Sequence, residues 1–286
     1  MQIASFRKDN ESTYGVVDGD SIVEASGAFR ARFPDLRAVL AGDALGELAA
    51  DTGPSAVAIA ETEFLPTIPN PDKILCVGIN YRPHVEEMGR QIPERPMIFV
   101  RFAGGQVGHG QPVLRPRVSE RFDYEGELAV VIGRRARHVE RDDAWDVIAG
   151  YSCFMDGSVR DWQNHTSQFT PGKNFHRSGS MGPFLMTRDE VPHVTALKLE
   201  TSVNGEVMQR GALDELIFDI PALIEYCSTF AELLPGDVIA TGTPGGVGAA
   251  RTPPVWLASG DVVEVEIPGV GLLRSPVEDE AVELAP

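Results

Sequence analysis

The sequence predicts an α+β protein that is mainly β, its sheets folded over one another around a pocket, behind a small α/β N-terminal unit. Three observations lead there. From Lys73 onward, apolar or alternating stretches bounded by Gly and Pro recur at Lys73–Val77, Met97–Arg101, Leu128–Ile132, Leu197–Val203, Val238–Thr241 and Val262–Ile267. The alternation of strand and long helix that a doubly wound parallel sheet needs is missing. A Pro-punctuated stretch, Leu65-Pro-Thr-Ile-Pro-Asn-Pro71, reads as an extended connector. Two domains are therefore expected: residues 1–70, a small unit with its connector, and residues 71–286, the larger unit.

In the small unit, Gln2–Phe6, Thr13–Val17 and Ser21–Glu24 read as short strands with a turn around Asp18–Asp20. Helical patterns follow around Leu36–Leu40 and Leu45–Ala50. In the larger unit, Asn204-Gly205 between two alternating stretches signals a tight hairpin, because both residues tolerate positive φ. A helix is expected at Pro221–Ser228, with Asp219 placed to cap it and Pro221 in its first turn.

Composition excludes several function classes. The chain has 286 residues, 43% of them hydrophobic, and a net charge of −17, the wrong sign for a nucleic-acid binder. Cys76, Cys153 and Cys227 are widely spaced, which argues for buried thiols over a zinc knuckle or a disulfide framework. The segment MQIASFRKDN has no apolar core of the kind a signal peptide carries. No window approaches the ~18 uninterrupted apolar residues of a membrane span. A cytoplasmic protein is expected.

Chemistry concentrates in a few segments. In DYEGELAVVIG, residues 123–133, the acids Asp123, Glu125 and Glu127 occupy alternate positions of a strand-like run and so share a face. Such acids sit about 6–7 Å apart, and burying them is costly unless a positive charge lies between. Oxygen-only ligands would select a hard cation, although an alternating acid strand is also a common solvated face. Asp156, after the apolar run Ala149–Met155, is a third acid in a buried setting, while Asp161 is read as paired with Arg160 or a neighbour.

In NYRPHVEEMG, residues 80–89, Pro83 suits a helix start and Gly89 a helix end, which puts His84 and Glu87 on one face. A carboxylate that holds an imidazole makes it a better base, and a plain surface pair has the same spacing. Lys173, in QFTPGKNF, is one of only four lysines against twenty-one arginines, so it is a candidate oxyanion stabiliser. Arg160 and Gln163, three apart, could bind a substrate carboxylate or simply each other. The glycine-rich run from Thr241 to Gly248 lacks the Lys-Ser/Thr ending of a phosphate loop and reads as a turn presenting Thr243 and backbone amides. His109, His138 and His193 have no assigned role; His165 and His176 flank the Lys173 segment.

Taken in order, KILCVGINYRPHVEEMG (73–89), DYEGELAVVIG (123–133), GYSCFMDGSVRDWQ (150–163), PGKNF (171–175), VNGE (203–206) and LLPGDVIATGTPGGVG (233–248) resemble the fumarylacetoacetate hydrolase family. The resemblance covers residues 70–284; the first 70 residues resemble, less specifically, the leading domain of bacterial members. It implies a mixed β-sandwich or roll and a homodimer. Glu125, Glu127 and Asp156 match the family's ligands for Mg²⁺ or Mn²⁺, with Ca²⁺ in some members. His84 and Glu87 match its water-activating dyad on a segment that closes over substrate. Lys173, Arg160 and Gln163 match groups that hold substrate oxygens or developing charge, and Thr243 matches a substrate-contacting position. Asp123 matches a common family residue and is not assigned as a ligand. Pro83, Gly157 and His176 depart from the pattern without removing a ligand or a dyad member.

The resemblance implies a hydrolase that cleaves a C–C bond in a small 2-oxo or 1,3-diketo acid of the acylpyruvate kind. The metal would polarise the carbonyl and stabilise an enolate, while His84, oriented by Glu87, activates water. Oxaloacetate decarboxylation, carboxymethyl-hydroxymuconate isomerisation and keto-acid hydration use the same parts and stay open. From a different class, a non-catalytic keto-acid binding protein would keep the metal site without turnover. No nucleic-acid or membrane partner is expected.

Overall fold

A computed structural model describes residues 1–51 and 53–281. The chain is organised on a sheet of twelve strands. Along its main path the strands run Ala56–Ala58, Ser21–Glu24, Glu11–Asp18, Gln2–Lys8, Gly179–Thr187, Ile148–Met155, Gly126–Ile132, Val238–Ala240, Ile74–Gly78 and Met97–Arg101. Gln2–Lys8 pairs antiparallel with Gly179–Thr187, so the N-terminal meander extends the same sheet. A second sheet of five strands, Glu206–Ala212, Lys198–Val203, Val262–Ile267, Gly271–Asp279 and Val113–Arg115, packs on the middle of the first. The mainly β sandwich expected from sequence is therefore present.

The strand Gly126–Ile132 is buried along its whole length and shows why. Leu128, Val130 and Ile132 join the core shared with Val263, Val265 and Leu273 of the second sheet. Ala129 and Val131 join the other core, with Phe29, Leu36, Val39 and Leu40 from the N-terminal helices Gly27–Arg32 and Leu36–Ala41. Alternation thus separates two buried faces instead of a dry and a wet one. Glu127 shares the parity of Ala129 and Val131, whereas Gly126 lies on the second-sheet side. A Cβ at Gly126 would lie 2.0 Å from Thr201 Oγ1 and 3.2 Å from Val265, so the residue between the two glutamates has to be glycine.

The helix Ile220–Phe230 is capped by Asp219, whose carboxylate accepts from the Ala222 amide at 3.0 Å. Asn204 and Gly205 adopt φ of 53° and 80° at the predicted hairpin. Among the described residues no helix is long and apolar enough to cross a membrane. All three cysteines are buried and free.

Two expectations fail. Asp123 and Glu127 do not lie on one continuous strand: Phe122–Asp123 pairs with Ser158–Val159, the run breaks at Tyr124 and Glu125, and the long strand begins at Gly126. The strand Gly179–Thr187, central in the sheet, has no counterpart in the sequence reading. Its two internal interruptions, Gly182 and Pro183, resemble a turn. Pro183 is tolerated because the ladder with Ile148–Met155 shifts register there, where a missing N–H breaks no regular pair.

Two substitutions test this packing. Gly126→Ala should lower unfolding free energy by about 1–3 kcal/mol through overpacking, and adding Thr201→Ala should recover part of the loss. Urea titrations check it, and an unchanged midpoint for Gly126→Ala would contradict the packing. Glu24, 6% exposed, accepts from Lys8 and Thr13 and lies 3.1 Å from Arg30. Burial pushes its carboxyl up, but the bonds from Lys8, Ser55 and Thr13 and the Arg30 charge outweigh it and hold it below the usual range. Its contribution is present above the unfolded pKa of about 4.3 and is lost as pH falls through the lower folded value. Glu24→Gln should therefore cost about 1–2 kcal/mol at neutral pH, and the gap to wild type should close in acid. A gap that stays constant from neutral pH down to acid would contradict the assignment.

Candidate functional site

Strand pairing creates the acidic centre. Gly126 stands opposite Met155, so the residues just outside the pair, Glu125 and Asp156, meet at the ends of neighbouring strands. The Asp156 amide donates to the Glu125 carbonyl at 2.8 Å. Glu127, one pair further in, turns its carboxylate to the same spot. One oxygen of each of Glu125, Glu127 and Asp156 lies within 4.8 Å of the others, and all three residues are buried.

Three cations hold these charges. Lys173 Nζ donates to Glu125 Oε2 and Asp156 Oδ2, both at 2.6 Å. Arg160 bridges Asp123 and Glu125, with Nε donating to Asp123 Oδ2 at 2.7 Å and Nη2 lying 2.6 Å from Glu125 Oε1. Its Nη1 donates to Gln163 Oε1 at 3.0 Å. Arg101, which sequence reasoning missed, donates through Nη1 to Asp156 and the Gly157 carbonyl and through Nη2 to Ser178. An Arg closing the apolar run MIFVR gives no sequence signal that it turns inward.

The charges are distributed unequally. Burial pushes Glu125 up, yet Arg160 and Lys173 overcome it and hold its carboxyl well below the usual range. Glu127 is driven the other way, first by burial and then by the Asp156 and Glu125 charges; its hydrogen bond comes from the Gly242 amide at 2.9 Å. Burial works against the Lys173 ammonium, but Asp156 and Glu125 raise its pKa above the ordinary value. Lys173 is therefore a fixed positive charge rather than a proton acceptor. Four buried carboxyl groups meet three buried cations, and Glu127, the one without a cationic partner, is pushed toward its neutral form unless a cation binds beside it. Three converging hard oxygen donors, one of them without a cationic partner, suit a hard divalent cation.

His84 and Glu87 sit on the helix Arg82–Glu87, which Pro83 opens and Gly89, at φ 61°, closes. His84 Nδ1 lies 2.7 Å from Glu87 Oε1, while Glu87 Oε2 accepts the Gly246 amide at 2.7 Å. With the proton on Nδ1, the ring donates to Glu87 and Nε2 is left as an acceptor. Asn80 anchors the segment from behind, bonding Thr241 O at 2.8 Å and both backbone groups of Phe218.

The glycine-rich run from Thr241 to Gly248 serves carboxylates instead of phosphates. Its amides at Gly242, Gly246 and Gly248 bind Glu127, Glu87 and Asp123 respectively. A Cβ at Gly246 would lie 2.2 Å from Met208 O, so glycine is required for this approach. Asp123, held also by the Ala249 amide and Arg160, ties the loop to the acidic centre and lies outside the three-carboxylate group. Thr243 Oγ1 donates to Gly126 O at 2.9 Å and accepts from Gln209 Nε2 at 2.8 Å. Gln209 Oε1 in turn accepts the Gly126 amide at 3.0 Å, so Gln209 and Thr243 clamp both backbone groups between Glu125 and Glu127.

His84, Glu125, Glu127, Arg160, Gln163, Lys173 and Thr243 line one cavity, with Val77, Phe99, Met88 and Phe169 as its apolar wall. Glu87 and Asp156 stand directly behind it, on His84 and Lys173. His165 stacks on Trp162, His176 is exposed, and neither lines the cavity. Asp161 bonds Ser119 and the Trp162 amide.

Removing the Gln209 clamp should loosen the segment that carries Glu125 and Glu127 without emptying the site. Gln209→Leu is expected to weaken Mn²⁺ binding about 10–100-fold in calorimetric titration, the range for a residue that orients ligands. Unchanged affinity in a folded variant would contradict the clamp.

The fumarylacetoacetate hydrolase C-terminal family model matches residues 73–278. Among curated relatives, the oxaloacetate tautomerase YisK of Bacillus subtilis is 42% identical over 223 residues, 77% of this chain and 74% of that protein. Two solved structures also align. The 5-carboxymethyl-2-hydroxymuconate delta-isomerase of Mycobacterium smegmatis has a TM-score of 0.79 at 30% identity, covering 98% of this chain and 100% of that one. A maleylpyruvate hydrolase from Sphingobium sp. SYK-6, in complex with manganese (II) and pyruvate, has a TM-score of 0.79 at 27% identity, with 98% and 100% covered. The chain belongs to the fumarylacetoacetate hydrolase family.

Proposed function

We propose that this protein is a divalent-cation-dependent enzyme that interconverts the keto and enol forms of a 2-oxo acid of the oxaloacetate kind. The observation that carries this reading is that His84 lines the same cavity as Glu125 and Glu127, which Asp156 joins from behind. Glu125, Glu127 and Asp156 would hold Mg²⁺ or Mn²⁺, with Ca²⁺ as the third choice, and the bound ion supplies polarisation of the 2-oxo group. His84 Nε2, its tautomer set by Glu87, takes a proton from the carbon next to the carbonyl. The electrons of the broken C–H bond form the C=C bond of the enolate as the carbonyl π pair moves to oxygen, where the Lys173 ammonium favours the negative charge. Return of the proton to that oxygen completes the isomerisation. Gln163, its Oε1 held by Arg160, turns its amide NH₂ toward the substrate oxygens.

The curated relatives named as oxaloacetate tautomerases support this choice. A second reading, hydrolytic C–C cleavage of an acylpyruvate, uses the same dyad to activate water. The likeness to a maleylpyruvate hydrolase favours it.

Wild-type protein with Mg²⁺ should speed the decay of the ultraviolet absorbance of enol-oxaloacetate, and chelation should abolish the effect. His84→Ala should lower kcat by about 10²–10⁴-fold while leaving metal affinity intact. Glu125→Ala should abolish metal binding as well as turnover. Full activity after exhaustive chelation would overturn the reading. Faster cleavage of an acylpyruvate than tautomerisation of oxaloacetate would select the second.

A further inference from the structure

The cations that line the cavity differ in burial and in partners. The two buried ones are already committed: Lys173 to Glu125 and Asp156, Arg160 to Asp123, Glu125 and Gln163. A third cation, Arg90, also lines the cavity, on its exposed side. Among the described residues its guanidinium makes neither a salt bridge nor a hydrogen bond.

The backbone of Arg90 is fixed. The Gly89 amide donates to Glu86 O at 3.0 Å and the Arg90 amide to Val85 O at 2.9 Å, with Gly89 in the left-handed region at φ 61°. This paired closure is the Schellman ending of the helix that carries His84 and Glu87. Arg90 is thus set at a fixed offset from the His84–Glu87 pair. An unpaired guanidinium at a cavity mouth is an anion receptor, and its planar fork matches a carboxylate. In the proposed function the 2-oxo end of the substrate goes to the cation held by Glu125, Glu127 and Asp156, so Arg90 is the uncommitted charge left for a second negative group.

We infer that Arg90 is a specificity-determining residue that binds the distal carboxylate of a 2-oxo dicarboxylic acid. This rests on the proposed function and names the residue that reads the second carboxylate of its oxaloacetate-like substrate. Met88 and Phe169, also on the cavity wall, are apolar and Asn164 is neutral, so Arg90 is the cationic side chain offered on the exposed side.

The test compares 2-oxoglutarate with 2-oxopentanoate, which has the same chain length but lacks the distal carboxylate. Binding to the Mg²⁺-loaded full chain is measured by calorimetry, independently of turnover. Wild type should bind the dicarboxylate at least about tenfold more tightly, the ratio expected for one charge-assisted contact. Arg90→Gln should remove that preference while leaving 2-oxopentanoate binding within about twofold, and Arg90→Lys should retain part of it. Equal binding of the two acids by wild type, or a preference that survives Arg90→Gln, would overturn the Arg90 assignment and leave the proposed function standing. If neither acid nor pyruvate binds wild type, the proposed function itself fails.

Discussion

The site depends on one constraint: several carboxyl groups are buried together, and the charge of each has to be compensated or neutralised. Isolated charges in an apolar interior are prohibitively costly, so the fold must supply compensation from several directions. Lys173 and Arg160 arrive from the segment after Asp156, Arg101 from the edge strand, and backbone amides from the glycine-rich loop. The compensation is incomplete at Glu127, and there a bound cation has its electrostatic place. Structural requirement and chemical capacity are the same feature seen from two sides.

The two-sheet architecture makes such an arrangement possible. Glu125 and Asp156 meet because they flank paired residues on antiparallel neighbours, so strand register fixes their separation. Gly126 lets the second sheet approach the backbone between the acids, and Gln209 from that sheet reaches the Gly126 amide. His84 stands apart from this rigid centre, on a short helix held by Asn80 at one end and by the Glu87–Gly246 contact at the other. The positions of the three carboxylates are thus set by the sheets, and that of the imidazole by a smaller element with fewer anchors.

Much of the site was legible in the sequence, for local reasons. Acids at alternate positions of an apolar run announce themselves, as does a His–Glu pair at helical spacing between Pro83 and Gly89. Lys173 stood out by scarcity. What was illegible depends on tertiary register. Asp123 has the same periodicity as Glu125 and Glu127, and its separate fate follows from the interruption of the strand at Tyr124 and Glu125 and from amides contributed by Gly248 and Ala249. Arg101 reads as the polar end of an edge strand, although it is buried on Asp156. Gln209 sits in EVMQRGA, where nothing local marks it for Gly126. The strand Gly179–Thr187 was hidden by residues that usually break strands.

The most direct test of the central claim is a crystal soaked in Mn²⁺ and measured at the manganese edge for anomalous scattering. A single strong peak bounded by the carboxylates of Glu125, Glu127 and Asp156, lost in Glu127→Gln, is the predicted result. A fully soaked crystal with no peak there, or with its strongest peak elsewhere, would contradict the account.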